Sequence, residues 1–228
     1  MTQTIKVIIP AFNEQNSVGK VINDIPDMVT EVIVVNNAST DETRKVAEEA
    51  GATVLDEQRQ GYGYACLKGL EYVANKSEKP DIIVFIDADY SDYPEELKLL
   101  VKPIIDDNYD MVIGSRALGQ RESGSMTIPQ VFGNWLATNL LALLYGIKFT
   151  DLGPFRAMKY DSLVKLNMKD TTYGWTVEMQ LKAAKHKMKC TEIPVTYRKR
   201  IGISKVSGTV KGTILAGYKI LWTIFKYL

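Results

Sequence analysis

Apolar positions in the first half of the chain fall into short dense runs, separated by stretches with helical spacing. Residues 5–9 are a β-branched run closed by Pro10 and read as a buried strand. Residues 17–25 place Val18, Val21, Ile22 and Ile25 on one helical face. Residues 31–35 predict a second buried strand that ends in Asn36-Asn37. Ser39-Thr40-Asp41 has the character of a helix N-cap, followed by an amphipathic stretch over 42–50 that Gly51 terminates. A short strand over 53–55, a helix over 61–75, an apolar strand over 81–86, a helix over 94–105 and a strand over 111–114 complete this half.

Strands that alternate with helices argue for βαβ units on a parallel sheet. Ligands of such sheets gather beyond the carboxyl ends of the strands. Polar clusters stand at those ends here: Asn13-Glu14, Asn36-Asn37, Asp87-Ala88-Asp89 and Ser115-Arg116. Packing alone does not require four polar strand ends, so they mark a candidate site.

The second half is less regular. Residues 119–129 read as a polar loop and 132–145 as a mostly apolar helix. Residues 151–156 read as a turn around Gly153-Pro154, 176–186 as a helix and 191–197 as a strand. A Gly-rich basic loop spans 202–208, and a last helix runs from about Thr209 to the end, with Ile214, Tyr218, Leu221, Trp222 and Phe225 on one face. That face fits three partners: an anionic lipid surface, the protein's own domain or a second subunit. No repeat, linker or low-complexity tract divides the chain.

Composition narrows the classes. With 228 residues, 46% hydrophobic and 24% charged, the chain is globular and long enough to bury a core without staples. Cys66 and Cys190 form no disulfide framework, which favours a reducing setting. One histidine, His186, excludes zinc sites built on several histidines and leaves little room for His-dependent triads. Net charge is +1, but its distribution is uneven. From Leu181 onward, 11 Lys and Arg stand against a single acid, Glu192, while the remainder carries 17 basic and 26 acidic residues. The basic end suggests an anionic partner. No RNA- or DNA-binding motif accompanies it, so no nucleic-acid partner is expected. The first residues do not form a signal peptide, and no apolar run reaches the roughly 20 residues of a bilayer span. The expected setting is cytoplasmic.

Asp87 and Asp89, one residue apart at a strand end, can approach one hard cation together, and Mg2+ or Mn2+ would bridge from them to substrate phosphates. The alternative is a turn that caps the next helix. Asn36 and Asn37 can bond a base or ribose, or form an Asx turn. Gly61-Tyr62-Gly63 lacks the third glycine of a dinucleotide fingerprint, so its glycines serve either close ligand approach or a tight loop entry. Arg116, Arg121, Arg156, Arg198, Arg200 and Lys205 are the phosphate candidates. Glu178, among aromatics at a helix start, is a candidate base or cap.

Together these segments resemble glycosyltransferase family 2, and within it the dolichyl- or polyprenyl-phosphate mannosyltransferase type. Pro10-Ala11-Phe12-Asn13-Glu14 looks like the family's P-x-x-N-E, Val34 to Asp41 like V-V-D-D-G-S-x-D, and Asp87-Ala88-Asp89 like D-A-D. Gly114-Ser115-Arg116, Thr150 to Arg156, and Ile193-Pro194 through Arg200 to Ser204-Lys205 also align in order. The resemblance implies an α/β fold of GT-A type with a mostly parallel central sheet. The catalytic domain would span 1–208, with a nucleotide-binding half to about residue 115 and an acceptor half after it. An amphipathic helix over 209–228 would touch the cytoplasmic face of a membrane.

The resemblance further implies an inverting hexosyl transfer from a nucleotide-diphosphate sugar of GDP-mannose or UDP-glucose type to a polyprenyl or dolichyl phosphate. Pro10, Ala11, Asn13 and Glu14 would line the nucleotide pocket, with Asn36 or Asn37 at the base and Gly61 beside them. Asp87 would lie near the ribose or sugar, and Asp89 would hold Mg2+ or Mn2+. Arg116, with Arg121 and Arg156, would meet the acceptor phosphate, and Arg200 with Lys205 the donor diphosphate. Three departures stand out. Asn36-Asn37 replaces an acidic pair, Tyr90-Ser91-Asp92 replaces Leu-Gln-His, and Pro129-Gln130-Val131-Phe132 replaces further arginines. The last of these favours a soluble or protein-linked hydroxyl acceptor, for which Glu178 would be the base. A non-catalytic nucleotide or nucleic-acid binding module is the remaining alternative.

Overall fold

The computed structural model describes residues 3–146, 148–204 and 209–228. Its elements run β1 (Ile5–Ala11), α1 (Val18–Asn23), β2 (Glu31–Asn36), α2 (Thr43–Glu49), β3 (Thr53–Asp56), α3 (Tyr62–Ala74) and β4 (Ile82–Phe85). A 3-10 turn over Pro94–Glu96 leads into α4 (Leu97–Asp107) and β5 (Met111–Ser115). Then come α5 (Ile128–Tyr145), β6 (Arg156–Lys159), α6 (Tyr160–Leu166), α7 (Trp175–Lys185), β7 (Cys190–Pro194) and α8 (Val210–Lys226).

Seven strands form one sheet in the order β3-β2-β1-β4-β6-β5-β7. β1 pairs in parallel with β2 and β4, and β7 runs parallel to β5. The expectation of an α/β fold with a mostly parallel sheet is met. The exception is β6, antiparallel to both β4 and β5. Residues 151–156 were expected to be only a turn; Arg156 in fact opens β6. The strand is short and polar at both ends, Arg156 and Lys159, so it carries no apolar run to announce it.

Alternate residues of each strand feed opposite faces of the sheet. Ile5, Val7, Ile9, Ile82, Val84 and Val112 pack on α1, α2 and α4 through Val21, Ala47 and Leu100. Ile8, Ile33, Ile83, Phe85, Ile113 and Met158 pack on α3, α6 and α7 through Cys66, Leu163, Trp175 and Met179. The result is a three-layer sandwich with a close-packed interior. The two cysteines are unpaired.

A third, smaller cluster joins α5, α7 and α8 through Ala137, Leu141, Val177, Leu181 and Ile224. The last helix therefore packs on its own domain, through Thr223 and Ile224. Its other face keeps Ile214, Tyr218, Trp222 and Phe225 at least half exposed. Beside it, α5 exposes Ile128, Phe132 and Trp135. Among the described residues no helix is long and apolar enough to cross a membrane.

β2 and β3 lie to one side of β1 and β4 lies to the other, so the strand order reverses between β1 and β4. A crevice opens at such a switch point, beyond the carboxyl ends of the strands.

Candidate active site

A cavity of about 460 Å³ occupies that crevice. Pro10, Ala11, Phe12 and Glu14 enter from the end of β1, and Asp87, Ala88 and Asp89 from the end of β4. Asn37, Gln60, Gly61 and Tyr62 form one wall, and Thr172, Tyr173, Arg200 and Ser204 another.

The acidic end is built by a tight turn after β4. Asp89 Oδ1 accepts the backbone N–H of Ser91 at 2.9 Å and its hydroxyl at 2.5 Å, which fixes the carboxylate. Asp89 Oδ2 lies 3.0 Å from an Arg200 nitrogen, and the same guanidinium bonds Glu14. Asp87 Oδ1 is buried with no hydrogen-bond partner among the described residues. Burial and the neighbouring Asp89 push the Asp87 carboxyl up, against the pull of Arg200 and Arg116. Asp92, 2% exposed, has both carboxylate oxygens without a hydrogen-bond partner among the described residues. Burial, and then Asp87, hold it well above the ordinary value.

Among the described residues, these three carboxylates within six residues of chain are set against two arginines, Arg116 and Arg200. Among the described residues, no group of three or more His, Cys, Asp or Glu is arranged to hold a metal unaided. Two carboxylates facing an open cavity, one with an orphaned oxygen, nevertheless suit a hard divalent cation. Such an ion takes the rest of its oxygen shell from phosphates and water.

Arg200 is aimed by the chain beyond β7. There the N–H of Arg198 bonds the carbonyl of Ser91, and that of Ile201 the carbonyl of Asp89. The Arg198 guanidinium stacks 3.4 Å from the centre of the Tyr90 ring and bonds the Tyr90 carbonyl at 2.6 Å. Arg198 is thus spent on fastening two loops together, whereas Arg200 faces the cavity. Lys205 lies outside the described residues.

The other expected residues sort into those that reach the cavity and those that build its walls. Glu14 and Asn13 follow β1: the Glu14 N–H bonds Thr43 Oγ1 at 2.8 Å, and Asn13 Oδ1 accepts the Thr40 N–H at 2.8 Å. These bonds tie the first strand end to the start of α2. Asn36 and Asn37 are consumed locally. Asn36 donates to Asp56 Oδ1 at 2.9 Å and does not line the cavity. Asn37 accepts the Gly61 N–H at 2.8 Å and donates to the Glu57 and Arg59 carbonyls. Gly61 has φ +151°, and a Cβ there would lie 2.3 Å from the Thr171 carbonyl oxygen. The space its missing side chain leaves is filled by the protein's own backbone, so tight loop entry is the better account of this glycine.

Arg116 is held by Asp151 through two bonds of 2.9 and 2.6 Å and lies over the Tyr197 ring. Arg156, fully buried, donates to the Gly153, Leu152 and Thr176 carbonyls. Burial lowers its pKa to about 10. Both side chains are committed to the fold around the 151–155 turn. Glu178 does not line the cavity either. Its carboxylate accepts the N–H groups of Lys169 and Asp170, pairs with Lys182 and accepts the Tyr227 hydroxyl at 2.5 Å. Burial pushes this carboxyl up, but Lys182, Tyr227 and the backbone donors outweigh burial and hold it below the ordinary value. Glu178 thus anchors α8 to α7 and the loop before it.

A second cavity of about 430 Å³ lies between α5 and the loops over 117–126 and 148–151. Arg121, Lys148, Asn139, Trp135, Val131 and Asp151 are among its lining residues. Of the acceptor candidates, Arg121 alone reaches it. Among the described residues its guanidinium donates to the Met126 sulfur.

Phe12, Gln60, Thr172 and Tyr173 were not singled out as site residues from the sequence, and Asp92 was named there only within the Tyr90-Ser91-Asp92 departure. Thr172 and Tyr173 belong to the aromatic segment that drew attention to Glu178; the segment does reach the site, through different residues.

A family model, Glycosyl transferase family 2, matches residues 6–166. An uncharacterized protein of Methanocaldococcus jannaschii is 30% identical over 226 residues, covering 96% of this chain and 90% of that one. An undecaprenyl-phosphate mannosyltransferase of Micrococcus luteus is 28% identical over 91% of this chain and 89% of its own. Among solved structures, glucosyl-3-phosphoglycerate synthase of Mycobacterium tuberculosis was crystallised with Mn2+, uridine-diphosphate and glucosyl-3-phosphoglycerate. It superposes with a TM-score of 0.76 at 22% identity, over 99% of this chain and 80% of that one.

Proposed function

Because the chain belongs to glycosyl transferase family 2 and is a glycosyltransferase of GT-A fold, we propose that it moves a hexose from a nucleotide-diphosphate sugar in the first cavity to a polyprenyl phosphate that enters through the second. The observation that carries the donor site is the pair Asp87 and Asp89 at the β1–β4 switch point, with an orphaned Asp87 oxygen and Arg200 opposite. The mannosyltransferase relative, whose name states a lipid-phosphate acceptor, supports the acceptor class. So does the pairing of Arg121 and Lys148 with Trp135 and Val131 in the second cavity, cations beside apolar surface.

Charge dictates the division of labour. The bond from the anomeric carbon to the diphosphate breaks, leaving negative charge on the leaving group and positive character on the carbon. Asp89 and Asp87 would hold Mg2+ or Mn2+, which neutralises diphosphate charge when bound. Arg200 donates to the departing diphosphate, and Phe12 and Tyr62 border the donor. A phosphate oxygen of the acceptor forms the new bond from the opposite face, inverting the anomeric centre. That oxygen is already an anionic nucleophile and needs no general base. This fits a Glu178 committed to packing.

A second reading keeps the donor and replaces the acceptor by a soluble hydroxyl compound. Gln130 favours it: where arginines would meet a lipid phosphate, Gln130 completes the capping box that starts α5. The contact surface proposed for a membrane is the exposed apolar side of α5 and α8, and Lys211 and Lys226 are exposed on the same α8 helix.

Thermal shift with UDP and with GDP, each with and without Mn2+, tests the donor site. A nucleotide at 100 times its Kd stabilises the fold by about 2.7 kcal/mol, and the shift is expected for one base and only with the ion. Asp89→Ala should abolish that dependence and turnover; full turnover without Asp89 sinks the scheme. Supplying polyprenyl phosphate in vesicles or a soluble hydroxyl acceptor, and following the sugar into each, separates the two acceptor readings.

A further inference from the structure

The donor cavity contains a cation of its own. Arg200 spans two carboxylates from different strand ends, Glu14 after β1 and Asp89 after β4. Its third donor, Nε, is buried and has no partner among the described residues. The buried arginines elsewhere are held differently. Arg156 is fixed by backbone carbonyls, and Arg116 by both oxygens of a single, nearly inaccessible Asp151. Arg200 keeps 24% of its side chain exposed and has a donor to spare. Its two partners, meanwhile, are positioned without it. Asp89 Oδ1 is fixed by Ser91, and Glu14 Oε2 accepts the Ser17 hydroxyl at 3.1 Å. Arg200 can therefore leave while both carboxylates keep their places.

We propose that Arg200 is an internal counter-cation that competes with the divalent ion for Asp89, so that metal and nucleoside diphosphate bind tightly only together. This rests on the assignment of Asp89 to the metal and of the diphosphate to this cavity. A divalent ion arriving alone meets Asp89 with a guanidinium nitrogen 3.0 Å away. To bind, it must push that cation off two carboxylates into water and lose two charge-assisted contacts. Arriving with a diphosphate, it brings anionic oxygens to which Arg200 can turn, and the spare Nε–H gains an acceptor. The two ligands then raise each other's affinity by one shared factor, as linkage requires. In cells the device keeps the acidic turn from taking up free metal and reserves it for the ion that travels with the donor.

The test titrates Mn2+ alone into wild type, Arg200→Gln and Arg200→Lys, reading bound ion from the loss of its free EPR signal. Each protein is then titrated with UDP and with GDP at saturating Mn2+. Arg200→Gln is expected to bind Mn2+ alone about tenfold more tightly and the nucleotide about tenfold more weakly, the scale of one charge-assisted contact. Arg200→Lys should fall between, since an ammonium holds one carboxylate rather than both. Melting curves check that the variants fold; if Arg200→Gln does not, the lysine variant carries the comparison. A variant that binds Mn2+ alone no better than wild type overturns the inference. If wild type with Mn2+ binds neither nucleotide, the donor-site reading itself falls, and the two failures are thereby distinguished.

Discussion

At the scale of single residues, the partner of a charged group decides its meaning. As cavity-lining residues, Asp87 and Asp89 were legible from the sequence, because two carboxylates at the end of an apolar strand have few packing roles. Arg116, Arg156 and Glu178 were not, because a one-letter code does not show whether a charge is already spent. Asp151 is the counterpart that the sequence did not reveal. It is 1% exposed, and it accepts both the side chain and the backbone N–H of Arg116. Glu192, the single acid of the basic C-terminal stretch, holds the Thr150 and Asp151 N–H groups in turn. Removing one member of a buried pair strands the other, so Asp151→Ala should cost about 3–5 kcal/mol in urea unfolding. Burial raises the Asp151 carboxyl, but Arg116 outweighs it and holds the folded value below the reference of 3.8. A depressed folded pKa means that the contribution is present above pH 3.8 and is lost as pH falls through the folded value. Wild type should therefore lose this increment at acidic pH, and Asp151→Ala should show a flatter acid limb. A variant as stable as wild type would show that the pair contributes nothing net.

At the scale of elements, the alternating first half was readable almost strand by strand, because its β-branched runs are short and each is closed by a polar cluster. What stayed hidden were segments defined by tertiary contact. β6 has polar ends and becomes a strand only because β4 and β5 stand on either side of it. α6 follows it directly, with Leu163 and Leu166 buried against the sheet. The helix α3 owes its position to glycine in the same way. At Gly63 a Cβ would lie 2.1 Å from the Asp170 carbonyl oxygen and 2.7 Å from the Thr171 backbone. Gly63→Ala must push that loop outward, and the loop carries Thr172 and Tyr173 into the cavity. Overpacking of this kind costs about 1–3 kcal/mol. The variant should unfold at lower urea concentration and also show a smaller nucleotide-induced thermal shift; an unchanged shift would place the loop outside the binding site.

At the scale of the whole molecule, part of the basic charge of the C-terminal stretch is absorbed by the fold. Arg198 and Arg200 are engaged at the acidic turn, Lys182 with Glu178 and Lys219 with Asp170. The more informative asymmetry is apolar. The helical cluster exposes Ile128, Phe132 and Trp135 on α5 and Ile214, Tyr218, Trp222 and Phe225 on α8. If this side meets lipid as proposed, Trp222→Ser with Phe225→Ser should reduce sedimentation with anionic vesicles several-fold. The melting temperature should hardly change, because the buried contacts of α8 run through Ile224 instead. Equal sedimentation would remove the membrane from the account. The position of β6 has a different consequence. The strand that fills the gap between β4 and β5 is made by the half of the chain that comes later, and β7 in turn leans on β5. A chain cut in the loop between β5 and α5 would yield one piece with a missing rung and another with two strands and nothing to pair with. The halves are complementary fragments rather than modules, and neither can be borrowed, duplicated or exchanged without the other.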